Sequence, residues 1–452
     1  MKRVVLREHE RFYRGAGTVR SGTRQGGRLY LSELHYGLLQ RLDENHPGSA
    51  VFRWQGSFAQ SRQWVGIIQL PGLSIEILPK IAPRQTEDST GFSRKNLLYM
   101  LHIAGALPLR ERDLASQSVI TAPLLETLIG RFAEQLLFEF QRGCQHDYLR
   151  RQENLPVLKG KLLFSSHLKQ NLARRDRFFV EHDEFLPDTN LNRIFKAACK
   201  TLLDLTGSVT TADRLHSCLI LLDQVATIEV QEHHFDRVVL NRQNERFTDL
   251  VTFARMVLLN QAPTASLGST RTFSLLFDMD RVFEAFVAAF LKRYVLVGSL
   301  SRAKLFPQAT GRLRHLARSQ GKPTLPLKAD LLLELGDQRL VIDTKWKRLS
   351  PQKGARQGID RNDLYQLFAY THIYETHHSV LLFPSPPELA EPQVFTLPRR
   401  HPALPEQQIL AEFIDLHRDL FCDHLPLARE LHAMLKRLLP EQVRHNLPTL
   451  AP

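Results

Sequence analysis

The first part of the chain carries short apolar runs of the kind that form β-strands. Val4-Val5-Leu6 and Trp64-Val65-Gly66-Ile67-Ile68 are separated by clusters rich in glycine and arginine. Apolar and polar positions alternate in Leu73-Ser74-Ile75-Glu76-Ile77, which predicts one buried strand face. Pro79 predicts the end of that strand, because proline has no N–H to donate. Residues 1–115 are therefore predicted to form a β-rich domain.

In the middle of the chain, apolar positions recur every three or four residues, which is the period of a helix. The clearest run, Leu124 to Phe140, follows Pro123, and proline is favoured at the start of a helix. Residues 147–187 interrupt this pattern and are predicted to be rich in loops. Their arginines, five between Arg150 and Arg177, fit either a surface that follows a DNA backbone or a solvated connection. Residues 116–265 are predicted to be a mainly helical linker domain close to DNA.

The period changes again in residues 266–390, which read as helix, strand, strand, helix and strand, an α/β arrangement. A proline-rich run, Pro384-Ser385-Pro386-Pro387, leads to a predicted helical tail from about Pro405 to Leu439, within an extension of residues 391–452. The whole chain is therefore predicted to be a multidomain α+β protein.

Charge and cysteine content narrow the classes of function. The 60 lysines and arginines exceed the 47 aspartates and glutamates by 13 charges, which favours polyanionic partners such as nucleic acids. The four cysteines show no CxxC spacing, so neither a zinc site nor a disulfide framework is indicated. The charged N-terminus lacks the apolar core of a signal peptide, and no stretch is apolar for long enough to cross a bilayer. We therefore expect a soluble protein of the cytoplasm with no membrane partner.

The candidate chemistry lies on two predicted strands that meet at Gly336-Asp337, a pair typical of a two-residue hairpin turn. Pairing of residues 327–335 with residues 338–345 across this turn places Asp330 directly opposite Asp343. Directly opposed residues have Cβ atoms roughly 4.5–5.5 Å apart, and like charges there destabilise the sheet. The pattern therefore favours a compensating cation.

A divalent metal ion supplies that compensation. Asp330 and Asp343, with the main-chain carbonyl of Thr344 and water, suit Mg²⁺, for which Mn²⁺ can substitute. Lys345 projects from the same face as Asp343 and can orient or help deprotonate a water and stabilise charge on a phosphate. The alternative is an ordinary hairpin with two edge aspartates and a surface lysine. The apolar runs on both strands favour the metal site, because unpaired acids are costly in central strands.

Two neighbouring helices add candidates. Glu284, on a predicted helix of residues 281–293, is either a catalytic group and water-mediated metal ligand or a residue at a solvated edge. Gln366 and Tyr370 are four residues apart on a predicted helix of residues 363–376, so they share a face. Gln366 is assigned to the catalytic set and Tyr370 to DNA binding, and each could contact either a phosphate or a strand.

A basic stretch follows the second strand, in a position to follow a DNA backbone. Lys347, Arg348 and Arg361 are assigned to DNA binding, although a solubilising loop explains any one of them equally well. The chain has no GxxxxGK[ST] loop, so we expect that it binds no nucleotide itself.

These residues resemble the motifs of the PD-(D/E)XK nuclease superfamily. Asp330 matches the first acid, and Asp343-Thr344-Lys345 matches the (D/E)xK element, with Asp in place of the commoner Glu. Gln366-Leu367-Phe368-Ala369-Tyr370 is similar to the QxxxY element of the RecB-like branch. The resemblance implies a PD-(D/E)XK endonuclease core in residues 266–390.

Longer stretches narrow the resemblance to McrC, the family of nuclease subunits in McrBC-type, modification-dependent (type IV) restriction systems. They lie in the expected order between about residues 60 and 375. The matching stretches are Val65–Lys80, Glu153–Lys161, Asp183–Lys196, Leu276–Glu284 and Asp343–Lys347.

That resemblance implies partners and a role in anti-phage defence. In the family, an N-terminal domain contacts a hexameric AAA+ GTPase, McrB, and stimulates its hydrolysis of nucleotide, which would make residues 1–115 the partner-binding domain. The substrate would be modified DNA, such as DNA that contains 5-methylcytosine, in a prokaryotic cell. Because each chain has one centre, two nuclease subunits would converge to cut both strands.

Two other functions remain open on the sequence alone. A stand-alone RecB-like repair nuclease would cut with Mg²⁺ and without nucleotide. A non-catalytic adaptor would activate the AAA+ partner and keep the nuclease fold as a scaffold, but the intact set of Asp330, Asp343 and Lys345 argues against it.

Overall fold

The computed structural model divides the chain into two compact units. The first comprises Met1–Ile67, Gly72–Thr121 and Leu276–Pro452, and the second comprises Ile68–Pro71 and Ala122–Leu275. The domain boundaries predicted after residues 115, 265 and 390 lie outside the described residues, so the division into four segments stays a prediction. The structure describes residues 2–17, 19–46, 48–81, 89–107, 122–259, 261–262, 272–347, 349, 358–385, 392–398 and 406–439.

The N-terminal part of the first unit is rich in β-strands, as predicted. Its elements are β1 (Lys2–Arg7), β2 (Arg11–Arg14), β3 (Thr23–Gln25), β4 (Arg28–Leu31), α1 (Glu33–Glu44), β5 (Phe52–Gln55), β6 (Phe58–Ser61), β7 (Trp64–Leu70), β8 (Leu73–Leu78) and α2 (Ser89–Ile103). Strands β2 to β6 form one sheet in the order β3-β4-β2-β6-β5. Edge-to-face contacts of Tyr36 with Phe12 and Trp54 join α1 to this sheet.

Strand β8 has the buried face that the alternation predicts, although its other face is largely buried as well. Leu73, Ile75 and Ile77 are buried, and the strand ends at Leu78, directly before Pro79. It pairs in parallel with β1. The one acid on the strand, Glu76, is also buried, and it accepts hydrogen bonds from the Arg94 guanidinium of α2 at 2.7 and 2.8 Å. This bidentate pairing explains how a sheet acid tolerates burial.

The second unit is mainly helical, as predicted. Its elements are α3 (Leu124–Gln141), β9 (Asp147–Leu155), β10 (Lys161–Leu162), α4 (Phe164–Asn171), β11 (Phe178–Leu186), α5 (Asn190–Leu205), α6 (Val209–Leu221), α7 (Glu232–Asp236), α8 (Thr248–Leu259), β12 (Gln261–Ala262) and β13 (Thr272–Asp278), which continues into the first unit. Helix α3 begins directly after Pro123, as expected. Ring contacts of Phe132 with Phe195 and Phe253 join α3, α5 and α8 in one core.

The prediction of a loop-rich interruption in residues 147–187 was wrong. The long strands β9 and β11 pair over their full length, and β10 completes an antiparallel sheet in the order β10-β11-β9. All nine residues of β9 are exposed or only partly buried, and its sequence lacks the apolar alternation on which the prediction relied.

The C-terminal part of the first unit is built on a six-stranded mixed sheet. Its elements are α9 (Met279–Phe290), β14 (Lys304–Pro307), β15 (Arg314–Ser319), β16 (Lys322–Leu327), β17 (Leu331–Leu335), β18 (Gln338–Thr344), α10 (Arg361–Ile373), β19 (His378–Pro384), β20 (Gln393–Thr396), β21 (Gln408–Ile414) and α11 (His424–Leu438). The strand order is β14-β17-β18-β19-β21-β20. Leu332, Val341 and Leu381 from its central strands pack with Leu367 and Tyr370 of α10 in one buried cluster.

Two predictions for this part need correction. The predicted strand of residues 327–335 is two strands, because β16 ends at Leu327 and β17 begins at Leu331. The predicted helical tail is helical only in α11, since residues 408–414 form β21, which pairs in parallel with β19 inside the sheet. Among the described helices, none is long and apolar enough to cross a membrane.

Candidate functional site

The β17–β18 hairpin brings two acids to one end of the sheet. Leu335 pairs with Gln338 and Leu331 pairs with Ile342, so the predicted register is confirmed. Asp330 and Asp343 lie one step beyond that last pair. Gly336, the first turn residue, has φ +59°, and Asp337 does not have a positive φ, which is the sign pattern of a II′ hairpin turn. The turn therefore sets the register that makes the two carboxylates neighbours.

Asp343 is the most deeply buried acid of the site, with 0% of the residue exposed. Its Oδ2 lies 2.7 Å from Lys345 Nζ, whereas its Oδ1 has no hydrogen-bond donor among the residues that the structure describes. Burial, and next the negative charge of Asp330, raise the pKa of Asp343 to about 7. An anionic oxygen without a donor in a buried position calls for a cation.

Asp330 is held by the strand that carries Asp343. Its Oδ2 accepts hydrogen bonds from Thr344 N at 2.8 Å and from Thr344 Oγ1 at 2.9 Å. Both bonds reach the same oxygen, so the main chain and the hydroxyl of Thr344 together fix the orientation of this carboxylate. Thr344 thus positions Asp330, in addition to the metal-ligand role predicted for its main-chain carbonyl.

Lys345 lies among three polar groups. Its Nζ contacts Asp343 at 2.7 Å, donates to Gln366 Oε1 at 3.3 Å, and lies 3.9 Å from Asp363 Oδ1. Burial alone would lower the pKa of Lys345, but the carboxylates of Asp343, Asp363 and Asp330 together more than offset this effect, and the pKa lies above its usual value. The side chain is therefore a cation in this arrangement, suited to stabilise negative charge.

Gln366 and Tyr370 form a hydrogen-bonded series with Lys345. Gln366 Nε2 donates to the Tyr370 hydroxyl at 3.0 Å, and that hydroxyl donates to the main-chain carbonyl of Lys328 at 2.8 Å. Tyr370 is buried, so this position favours a positioning role over the DNA contact predicted from the sequence. The two residues share one face of α10, as their spacing predicted.

Glu284 faces the same site from α9. Gln308 Nε2 donates to its Oε1, and Gln308 N donates to the Asp330 carbonyl at 2.7 Å. Burial, and next the charge of Asp330, raise the pKa of Glu284 above its usual value. The Asp330 contribution shows that the two acids share one electrostatic environment, which supports the prediction that Glu284 belongs to the site over the solvated-edge alternative.

The predicted DNA-contacting residues differ in their surroundings. Lys347 Nζ lies 2.9 Å from Asp363 Oδ2, and about half of its side chain is exposed. Arg361 is exposed at the start of α10. Arg348 lies outside the described residues.

Sequence reasoning missed Asp363, which is buried and contacts both Lys345 and Lys347. One signal could have found it. Asp363 precedes Gln366 by three residues on α10, so the two side chains lie on the same side of the helix.

The acids fit a hard divalent cation that keeps several waters. Among the described residues, no group of three His, Cys, Asp or Glu side chains is arranged to hold a metal. Mg²⁺ does not need such a cage, since it commonly binds through one or two carboxylates and retains water. The unpartnered Oδ1 of Asp343, the oriented Asp330 and the nearby Thr344 carbonyl make a donor set of that kind.

Comparisons with known proteins agree on one family. The sequence model described as "McrBC 5-methylcytosine restriction system component" matches residues 59–384, which is most of the chain and includes every acid of the site. A curated relative, the type IV methyl-directed restriction enzyme EcoKMcrBC of Escherichia coli (strain K12), is 21% identical over 283 residues, covering 61% of this chain and 80% of the relative.

Two solved structures share the fold. One is a refined half-complex from the tetradecameric assembly of Thermococcus gammatolerans McrB AAA+ hexamers with bound McrC, with a TM-score of 0.72, 20% identity, and coverage of 97% of this chain and 100% of that chain. The other is the cryo-EM structure of the Thermococcus gammatolerans McrBC complex, with a TM-score of 0.51, 23% identity, and coverage of 66% of this chain and 89% of that chain.

Proposed function

The chain belongs to the McrBC family of restriction-system components, and from that membership we propose that it is the Mg²⁺-dependent DNA endonuclease subunit of such a system. One observation carries the proposal. Asp343 is fully buried beside Asp330 and Lys345, with an oxygen that no described donor contacts. A protein under no demand for metal chemistry gains nothing from that costly arrangement.

The fold around the acids supports a PD-(D/E)XK core. Helix α9 is followed, after β14 to β16, by the hairpin β17–β18, which carries Asp343 and is flanked by Asp330 and Lys345, and then by α10 with Gln366 and Tyr370. The hairpin strands are central in the sheet, since β17 lies between β14 and β18, and β18 lies between β17 and β19. The acids therefore sit on rigid elements, as a site for hydrolysis requires.

The side chains of the site divide the chemistry among them. Asp330, Asp343 and the Thr344 carbonyl would hold Mg²⁺, which when bound supplies Lewis-acid activation of water and of a phosphate oxygen. Lys345, kept cationic by Asp343, faces the negative charge that develops on the phosphate. Gln366 and Asp363 hold the Lys345 ammonium in place.

The partner follows from the relatives. The McrC chain of the Thermococcus gammatolerans assembly is bound to McrB AAA+ hexamers, and this chain aligns with that assembly's fold over nearly its whole length. We therefore propose that an McrB-like AAA+ GTPase hexamer activates this nuclease at modified DNA, and that the nuclease in turn stimulates hydrolysis of GTP. Its place would be the cytoplasm of a prokaryotic cell, where invading DNA is found.

The test compares two Asp→Asn substitutions on the same hairpin. Asp343→Asn keeps the size of the side chain but removes the charge, and Asp337→Asn makes the same change at the exposed turn. Cleavage of methylated and unmethylated plasmid is measured with Mg²⁺, the AAA+ partner and GTP. We expect D343N to lose about a thousandfold or more in cleavage rate, D337N to cut like the wild type, and EDTA to abolish cutting.

Two other outcomes would replace this proposal with a different function. Cutting without partner and nucleotide would replace this proposal with a stand-alone repair nuclease. Full activation of the partner's GTPase by both variants, with no cutting by the wild type under any condition, would replace it with an adaptor role.

A further inference from the structure

A second hairpin, β15–β16, lies next to the site in sequence but outside the six-stranded sheet. We call residues 314–327 the basic ribbon. All six residues of β15 and four of the six in β16 are exposed. The ribbon contains three lysines and arginines, Arg314, Arg318 and Lys322, and no acid. The ribbon is therefore a solvent-exposed element with a single sign of charge.

Its cations are available for a ligand. Arg314, Arg318 and Lys322 make no ion pair with a carboxylate in the part of the chain that the structure describes. Arg312, at the base of the ribbon, differs from them, since its Nε lies 3.3 Å from Glu334 Oε2. Cations that stay solvated and unpaired are free to release counterions when they meet a polyanion.

The shape of the ribbon suits binding in a DNA groove better than pairing with a further β-strand. Gln320 and Gly321 both have positive φ, as in a type I′ turn, which joins the two strands tightly. Pro323 and Pro326 leave β16 without two N–H donors, so it is a poor edge for a further strand. Six residues per strand extend about 20 Å, and the major groove of DNA, about 12 Å wide, admits a two-stranded ribbon.

The base of the ribbon is tied to the catalytic lysine. The Tyr374 hydroxyl donates to the Leu327 carbonyl at 2.7 Å, and the Tyr370 hydroxyl donates to the Lys328 carbonyl at 2.8 Å. Tyr370 in turn accepts from Gln366, which accepts from Lys345. Two residues after Lys328 comes Asp330. The ribbon therefore starts from the same fixed frame as the acids.

We propose that the basic ribbon binds the DNA duplex beside the scissile phosphate, with Arg314, Arg318 and Lys322 on phosphates. DNA is favoured over a protein partner because the cations are exposed along the whole ribbon and no acid interrupts them. The inference rests on the proposed nuclease function, because it takes the acids at the ribbon's base to be the cutting centre. It adds a surface that holds the duplex against that centre.

The test measures DNA binding separately from cutting. Fluorescence anisotropy of a labelled duplex is recorded with the full-length protein in EDTA, over a series of salt concentrations. The ribbon variant is R314Q/R318Q/K322Q. The matched control is R3Q/R429Q/K436Q, which removes three exposed cations from β1 and α11 of the same unit. Thermal melting checks that both variants fold.

We expect the ribbon variant to bind about tenfold or more weakly near 0.1 M salt and to lower the slope of log K against log salt by about 2 to 3. The control keeps the wild-type slope. D343N binds like the wild type although it does not cut, so failure of the nuclease proposal would show in cutting alone.

Four results would overturn the inference. The ribbon variant could bind DNA with the wild-type slope, or the control could lose as much as the ribbon variant. The third is unchanged DNA binding together with weaker assembly with the AAA+ partner, which would make the ribbon a protein contact. Absence of DNA binding by the wild type at low salt would also overturn it.

Discussion

The first unit contains two hairpins in succession that follow the same local rules and serve opposite purposes. Both β15–β16 and β17–β18 are joined by two-residue turns that contain a glycine with positive φ. The acidic hairpin, β17–β18, lies inside the sheet with Leu331, Leu332 and Leu333 buried, whereas the basic ribbon stands in solvent. The acids of the acidic hairpin therefore lie in a buried position, where an unpaired charge is costly. The cations of the basic ribbon lie in solvent, where a charge costs little free energy.

In each hairpin the turn fixes the register of the strands, whereas the side chains decide whether the hairpin is buried or exposed. Leucines on β17 and Leu340, Val341 and Ile342 on β18 drive the acidic hairpin into the core. This burial desolvates Asp343 and raises its pKa to about 7. Prolines and arginines keep the ribbon out. A carboxylate with a shifted pKa, which catalysis often needs, requires a buried hairpin. Binding to a polyanion requires cations in solvent, which suits the exposed hairpin.

The largest effect should come from the lysine of the acidic hairpin. We expect Lys345→Met to lower the rate of DNA cleavage by about 10²–10³-fold, because the charge beside the phosphate is lost. Lys347→Met is the matched control, since Lys347 also contacts Asp363 but is 47% exposed against 20% for Lys345. Single-turnover cleavage measures both. Equal losses in the two variants would mean that Lys345 acts only through general charge.

The next-largest difference between the two hairpins should lie in how much each contributes to the free energy of unfolding. Leu333→Ala, at a residue with 0% exposure, should lower the free energy of unfolding by about 2–5 kcal/mol. Leu316→Ala, on the ribbon at 49% exposure, should change it by less than about 0.5 kcal/mol. Urea unfolding followed by fluorescence gives both values. A large cost for L316A would show that the ribbon is part of the core.

The acidic hairpin continues into Trp346, whose indole N–H contacts both Glu8 carboxylate oxygens, at 2.9 and 3.1 Å. Burial raises the pKa of Glu8 from 4.5 to about 7. The folded state therefore keeps this proton while the unfolded state loses it, so stability from Glu8 is full below about pH 4.5 and is lost as the pH rises through 7.

Glu8→Gln removes this dependence. The free energy of unfolding of E8Q minus that of the wild type should therefore increase by about 2 kcal/mol between pH 5 and pH 8. Glu44→Gln, at an exposed position on α1, serves as control. Parallel stability curves for the wild type and E8Q across this range would contradict the expectation.

The smallest effect concerns the turns. Gly336 and Gly321 have φ values of +59° and +76°, and an added Cβ would meet no atom within 4 Å at either position. Alanine at each should therefore cost about 1 kcal/mol of backbone strain alone. In G336A that cost should appear in global unfolding, and in G321A as faster amide exchange confined to the ribbon. Global destabilisation by G321A would mean that the two hairpins unfold together.

The sequence was informative about the fold where local signals agreed with burial. Gly336-Asp337 with apolar residues on both sides was enough to give the register of the acidic hairpin. The ribbon was missed because its prolines and arginines break the strand pattern. Strand β21 was missed because its apolar run is too short to distinguish a buried strand from part of a helix.

For the site, too, local rules predicted some residues, whereas tertiary packing decided the others. Asp330, Asp343 and Lys345 could be grouped because strand pairing is a local rule, and Gln366 because helix spacing is another. The spacing to Gln366 could have added Asp363 to the candidates, but its contact with Lys345 depends on how α10 packs on the sheet. The buried position of Tyr370 likewise follows from tertiary packing alone. Roles read from spacing alone remain predictions until the neighbours are known.

The discontinuity of the first unit has a consequence for synthesis on the ribosome. The six-stranded sheet needs β21, so it cannot close until residue 414 has been made, although the unit begins at Met1. Residues 122–275, nearly all of the second unit, emerge as one uninterrupted piece and can fold first. At roughly 5–20 residues per second, the N-terminal part of the first unit is exposed on the order of ten seconds or more before the sheet of its C-terminal part can close. We expect the nascent chain to depend on chaperones during that interval.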